Sequence, residues 1–170
     1  NISTPLIYSG GIRNVQDATN VINSGADRVV IDCILQEKNI DLINNISNKI
    51  GSQALILSIP VIIKRDHLYR YDYISNHEIP FNNIIKTLDA LNFSEVLIID
   101  KLNDGGDEFN LKILNLVHNY FNCNLMVFGG ISNYKIIKEL TKFDQVSSIV
   151  IGNSLNYKEI QISNIKNNFK

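Results

Sequence analysis

Three turns in the chain carry glycine: Ser9-Gly10-Gly11-Ile12, Phe128-Gly129-Gly130-Ile131 and Ile151-Gly152-Asn153-Ser154. Each follows a short apolar run. Glycine lets the backbone approach a ligand closely, and free N–H groups at the start of a helix favour an anion such as phosphate. Tight turns need glycine in any case, so one such pair says little, but three at equivalent places point to phosphate binding. A fourth loop, Asn103-Asp104-Gly105-Gly106-Asp107-Glu108, concentrates carboxylates and makes Asp104 a candidate general acid or base. Solvent exposure alone also produces a polar, glycine-rich loop. Asp32 and Asp100 end apolar runs and so stand where a strand meets a site. Cys33 has no histidine near it in sequence and reads as a buried thiol rather than a nucleophile. His67, His77 and His118 lack metal-ligand spacing, so neither a metal nor a cofactor is expected.

The elements that must position these residues are legible as an alternation. The runs 6–8, 29–31, 55–59, 96–99, 125–128 and 149–151 are short, rich in Ile, Val and Leu, and not alternating, as in strands covered on both faces. Between them, 15–23, 40–50, 81–91, 111–120, 134–140 and 157–169 carry helical periodicity, clearest in Ile40, Ile43, Ile46 and Ile50. Gly25 and Gly51 suit helix C-termini, and Asn110 and Ser132 suit N-caps. Repeated βα units with apolar strands imply an α/β fold with a parallel sheet, either doubly wound or a (β/α)8 barrel. About six units are present. The segment 63–77 reads as an inserted hairpin, and the chain 1–170 as a single partial barrel domain.

Composition narrows the function classes. The chain has 170 residues, 45% hydrophobic and 19% charged, with 16 basic and 17 acidic side chains and a net charge of −1. This balance gives no electrostatic reason to bind nucleic acid or an anionic membrane. The longest apolar stretch, 54–63, is interrupted by Ser58 and Pro60 and reaches about half the ~20 residues of a membrane span. The absence of a secretory pattern and the two distant cysteines, Cys33 and Cys123, suit a reducing, cytoplasmic setting.

Taken together, Thr4-Pro5-Leu6-Ile7-Tyr8-Ser9-Gly10-Gly11-Ile12-Arg13, Ser24-Gly25-Ala26-Asp27-Arg28-Val29, Gly51-Ser52-Gln53-Ala54, Ser94-Glu95-Val96-Leu97, Asn103-Asp104-Gly105, Phe128-Gly129-Gly130 and Ile151-Gly152-Asn153-Ser154-Leu155 resemble the cyclase subunit of imidazole glycerol phosphate synthase, a (β/α)8 barrel of histidine biosynthesis. The resemblance starts at the family's third strand, which implies a chain lacking the first two βα units. It implies a glutaminase partner in a heterodimer, ammonia passing through the barrel, and a phosphorylated small-molecule substrate. One of the family's two proton-transferring aspartates lies on the first strand; the other falls at Pro60, which moves no proton. Asp32 and Cys33 stand at the family's Asn-Thr phosphate ligands, where an aspartate repels phosphate. The second phosphate site is matched by Gly105, Gly129, Gly130, Gly152 and Asn153, with Gly10 and Gly11 as weaker candidates.

At the opposite face, Arg28 and Glu95 match two members of the family's charged ring at the ammonia entrance, and Asp27 and Gln53 match partner-facing positions. The same residues also suit a plain surface ion pair, worth at most about 1 kcal/mol. Three functions stay open. The first is a diverged cyclase-like subunit that handles ammonia from a glutaminase, with a branch tied to amidation of surface sugars suggested by Tyr8 beside the first turn. The second is a true histidine-pathway cyclase, and the third a non-catalytic scaffold or gene fragment. The expectation is no cyclisation, with one phosphate held at the last two strands.

Overall fold

The computed structural model describes residues 4–32, 39–106, 108–156 and 160–168. The elements run β1 (Ile7–Ser9), α1 (Val15–Asn23), β2 (Arg28–Asp32), α2 (Ile40–Ile50), β3 (Leu55–Lys64), β4 (His67–Asp72), β5 (His77–Pro80), α3 (Ile85–Asp89), β6 (Glu95–Asp100), α4 (Lys112–Val117), β7 (Asn124–Phe128), α5 (Tyr134–Leu140), β8 (Val146–Ile149) and α6 (Ile162–Asn168). Six strands pair in parallel in the order β1-β2-β3-β6-β7-β8, which is also their order along the chain. A doubly wound sheet reverses its order at a switch point; this one never does, and it curls as an incomplete (β/α)8 barrel.

The two faces of the sheet bury different things. Val29, Ile31, Leu55, Leu57, Ile59, Val96, Ile98, Leu125 and Val127 pack outward against helix residues such as Ala18, Ile43, Ile46, Ile113, Ile136 and Leu140. The alternate residues Val30, Ile56, Leu97 and Met126 form a separate apolar layer on the concave face. Because side chains alternate along a strand, this layer fixes the positions above and below it. Arg28 and Glu95 share the concave face at the N-terminal rim, while Asp32, Ser58, Pro60, Ile99 and Phe128 share it toward the C-terminal mouth.

Several elements depart from the expected ones for identifiable reasons. The third strand continues five residues beyond 59, β4 pairs antiparallel with it and β5 antiparallel with β4, so the insertion is an extension of the sheet. The 81–91 segment opens as a 3₁₀ turn, Phe81–Ile84, before the short α3. The last strand is Val146–Ile149 instead of 149–151, because Ser147 and Ser148 conceal it from an apolar count. The cap of α5 is Asn133, whose side chain accepts the Ile136 N–H at 3.0 Å, rather than Ser132. Asn110 lies one residue before the assigned cap of α4, Leu111, and accepts the Lys112 N–H at 3.1 Å. Of the sixth expected helix, Ile162–Asn168 is helical, and 157–159 lie outside the described residues.

Candidate functional site

At the C-terminal mouth, the four expected glycines and Asn153 come together. Gly105, Gly129, Gly130, Gly152 and Asn153 line one cavity of about 590 Å³, joined by Asp104, Phe128, Asn133 and Ser154. Two of the glycines are dictated by close packing. A Cβ on Gly129, at φ +101°, would stand 2.6 Å from the Asp100 carbonyl oxygen; one on Gly130, at φ +69°, would stand 2.8 Å from the Glu108–Phe109 backbone. Only glycine therefore lets these loops meet and bring backbone to the cavity.

Asp100 organises this mouth from below. It is 1% exposed, and its carboxylate accepts the Asn103 side-chain amide at 2.7 Å, the Asn110 N–H at 2.8 Å and the Asn103 N–H at 3.3 Å. Its oxygens are spent on holding the loop that carries Asp104 and Gly105. Asp104 lines the cavity, and its charge raises the pKa of Tyr73, together with burial, which acts most strongly, and the charge of Asp32.

Gly10 and Gly11 line a second, smaller cavity of about 210 Å³ with Arg13, Asp32 and the hairpin residues Arg70, Tyr71, Asp72, Tyr73 and Ile74. Sequence reasoning missed these hairpin residues. Arg70 is 2% exposed and Asp72 3%, although both sit in a segment that reads as an inserted hairpin. The usable signal was alternation: Leu68, Arg70 and Asp72 take the buried side of β4, and Tyr69 and Tyr71 the half-buried side. Burial raises the pKa of Asp32, while Arg70 lowers it and Asp72 raises it again, leaving it above the usual carboxylate value. Asp72 goes the other way. Burial raises it, but the Ile74 N–H at 2.9 Å, hydrogen bonds from Ser75 and the charge of Arg70 bring it below that value. Arg70 lines the same cavity as Asp32 and its charge lowers the pKa of both aspartates, which offsets part of the repulsion expected at Asp32. Lys101, after β6, lies 5.6 and 5.7 Å from the ring centroids of Tyr71 and Tyr73, tying the hairpin to the mouth. Cys33 lies outside the described residues.

Pro60 is buried on the concave face, level with Ile99 of β6. With neither a titratable group nor an N–H, it offers no proton at that position.

At the N-terminal rim, Arg28 of β2 and Glu95 of β6 meet across the start of β3. The strands are two apart, so the pair spans roughly 9.5 Å of sheet with two long side chains. Arg28 Nη1 lies 2.5 Å from Glu95 Oε2, with side-chain exposures of 24% and 14%. Arg28 Nη2 donates to Ser94 Oγ at 2.6 Å, and Ser94 donates to the Leu55 carbonyl at 2.8 Å. Ser147 donates to Glu95 Oε1 at 3.0 Å. Ser94 belongs to the Ser94-Glu95-Val96-Leu97 run that carries the resemblance, whereas nothing in the sequence singles out Ser147. Asp27 is exposed and accepts the Leu6 N–H at 2.7 Å, which ties it to the start of β1. Gln53 is exposed and folds over Gly51, where a Cβ would stand 2.2 Å from its Nε2. No group of three or more metal-ligating side chains occurs among the described residues, and none of their helices is long and apolar enough to cross a membrane.

The profile of a family described as "Histidine biosynthesis protein" matches residues 1–161. Among curated proteins, the chain is 26% identical to imidazole glycerol phosphate synthase subunit HisF of Hydrogenobaculum sp. (strain Y04AAS1), over 98% of this chain and 67% of the relative. It is 31% identical to the subunit of that name in Dictyoglomus thermophilum, over 79% of this chain and 56% of the relative. For that of Sulfolobus acidocaldarius the identity is 30%, over 76% and 53%. The chain thus spans between about half and two thirds of the length of these relatives.

Proposed function

Because the chain belongs to the histidine biosynthesis protein family, we propose that it acts as a diverged cyclase-like subunit that receives ammonia from a glutaminase partner at its N-terminal rim and holds a phosphorylated small molecule at its C-terminal mouth. The observation that carries this reading is the Arg28–Glu95 pair on the concave face. Barrel interiors are filled by branched apolar side chains, and two charges there lose hydration that only pairing restores. The layer above them, Val30, Ile56, Leu97 and Met126, is apolar. Such a layer disfavours an ammonium ion far more than neutral ammonia. A charged pair beneath an apolar layer suits the passage of a small neutral base.

The phosphate end rests on the cavity lined by Gly105, Gly129, Gly130, Gly152 and Asn153, where backbone supplies the recognition. Pro60 on the concave face argues against cyclisation by this chain, since a general acid or base is worth typically 10²–10⁴-fold. The acceptor of the ammonia is then a separate compound; a surface sugar is the class suggested by Tyr8 beside the first glycine turn. A true cyclase is the second reading, for which Asp32, whose pKa burial raises against the charge of Arg70, is a candidate proton carrier beside Asp104. An assay of the full-length protein with ammonia and the bis-phosphorylated ribotide separates them. No imidazole product is expected; turnover abolished by Asp32→Asn would establish the cyclase instead.

A further inference from the structure

We propose that Ser147 is the positioning residue that holds Glu95 shut against Arg28, and that it is also the catch by which the pair is released. The proposal rests on the ammonia-gate reading above and adds the residue that governs it.

The β7–β8 register passes from Leu125 opposite Val146 to Met126 opposite Ser148, so Ser147 is an extra residue in β8. Counted back from Ser148, whose partner Met126 faces the concave side, alternation would send the Ser147 side chain to the helix side; counted on from Val146, whose partner Leu125 faces the helices, it would send it to the concave side. A bulge re-aims a side chain at a barrel rim, and here the Ser147 hydroxyl reaches Glu95 Oε1 at 3.0 Å. Glu95 is thereby held at both oxygens, Oε2 by Arg28 and Oε1 by a strand on the other side. A carboxylate anchored at one oxygen pivots about that contact; anchored at two, its plane is fixed.

The two serines of the rim differ in what they can do. Ser94 accepts from Arg28 Nη2 and gives its proton to the Leu55 carbonyl, so both its roles are committed. Ser147 has one proton and two acceptors, Glu95 Oε1 at 3.0 Å and the Leu125 carbonyl at 3.3 Å. It can let go of Glu95 without leaving its own hydroxyl unsatisfied, so the serine adds no cost of its own to opening.

The test is the exchange rate of the Arg28 Nε proton, measured by NMR on the chain, because Arg28 Nε is buried with no hydrogen-bond partner and is sheltered by the closed pair. Ser147→Ala is expected to speed this exchange roughly ten-fold or more, as for loss of one hydrogen bond to a charged group. The backbone amides of Val30 and Leu97 should keep their protection. Ser147→Thr keeps the hydroxyl and should restore the native rate. An unchanged Arg28 rate in Ser147→Ala, or a threonine variant as fast as alanine, overturns the proposal. In the complex with the glutaminase, Ser147→Ala should release more ammonia to solvent per glutamine hydrolysed. If Arg28 exchange responds while ammonia release does not, Ser147 positions the pair and the gate reading is what fails.

Discussion

The two aspartates facing Arg70 make opposite statements about pH. Asp32 has a raised pKa, so the folded chain holds its proton more tightly than the unfolded chain does. That contributes stability at pH values below the ordinary carboxylate range, and it is lost as pH rises through the folded pKa. Asp32→Asn is therefore expected to raise the melting temperature at about pH 7 and to leave it unchanged below about pH 3. Asp72 has a lowered pKa, so its contribution is present above the ordinary range and is lost as pH falls through the folded value. Asp72→Asn should lower the melting temperature at about pH 7, by the equivalent of about 1–2 kcal/mol as the Ile74 N–H loses a charged acceptor. Thermal melts of both variants across pH test the signs; a shift of the same sign for both would contradict the opposition between burial at Asp32 and the Ile74 and Ser75 hydrogen bonds at Asp72. Neither effect is readable in the sequence, where Arg70-Tyr71-Asp72 falls within an inserted hairpin. A fully buried arginine becomes visible only when the alternation of β4 is matched to the strand it lies on.

At the scale of elements, the helices were the most legible part. The spans 15–23, 40–50 and 134–140 are reproduced to the residue, because apolar spacing and capping agree there: Asn14 caps α1 and Gly51, at φ +88°, ends α2. The last strand was misplaced because two serines interrupt it, and the bulge at Ser147 leaves no mark in composition. The glycine turns of the mouth share one cavity, and packing gives two of them a reason of its own. Gly129 is required by the Asp100 carbonyl as much as by any ligand, so Gly129→Ala is expected to cost more than about 2 kcal/mol, through strain at φ +101° and a clash with backbone. Gly105, at φ +80° with open space around its Cβ, should cost only about 1 kcal/mol as alanine. Denaturant unfolding compares the two. Titration of inorganic phosphate into the Gly105→Ala variant should still perturb the amides of Gly129, Gly130, Gly152 and Asn153, and silence there would remove the phosphate site from the mouth.

For the whole molecule, the sheet order gives β1 one partner, β2, and β8 one partner, β7, among the described residues. Ile7 and Tyr8 of β1 are 37% and 44% exposed, and Leu6 beside them 56%. An apolar edge with unpaired backbone groups is a template for another strand. The 170-residue chain is expected to self-associate at micromolar concentration, and Ile7→Lys to reduce this by placing a charge on the edge; sedimentation velocity of the two proteins checks it.

The concave face joins these scales, with a charged pair at one rim, an apolar layer above it and a glycine-lined cavity at the mouth. Its meaning is tested most directly in the full-length protein assembled with its glutaminase, by comparing glutamine hydrolysed with ammonia released to solvent for the parent and for Glu95→Gln. Glutamine keeps the size and one hydrogen-bonding oxygen but not the charge that binds Arg28. We expect hydrolysis to continue while the ammonia lost to solvent rises several-fold. An unchanged ratio, with the complex still assembled, would contradict the assignment of Arg28 and Glu95 to ammonia passage and leave them a surface ion pair.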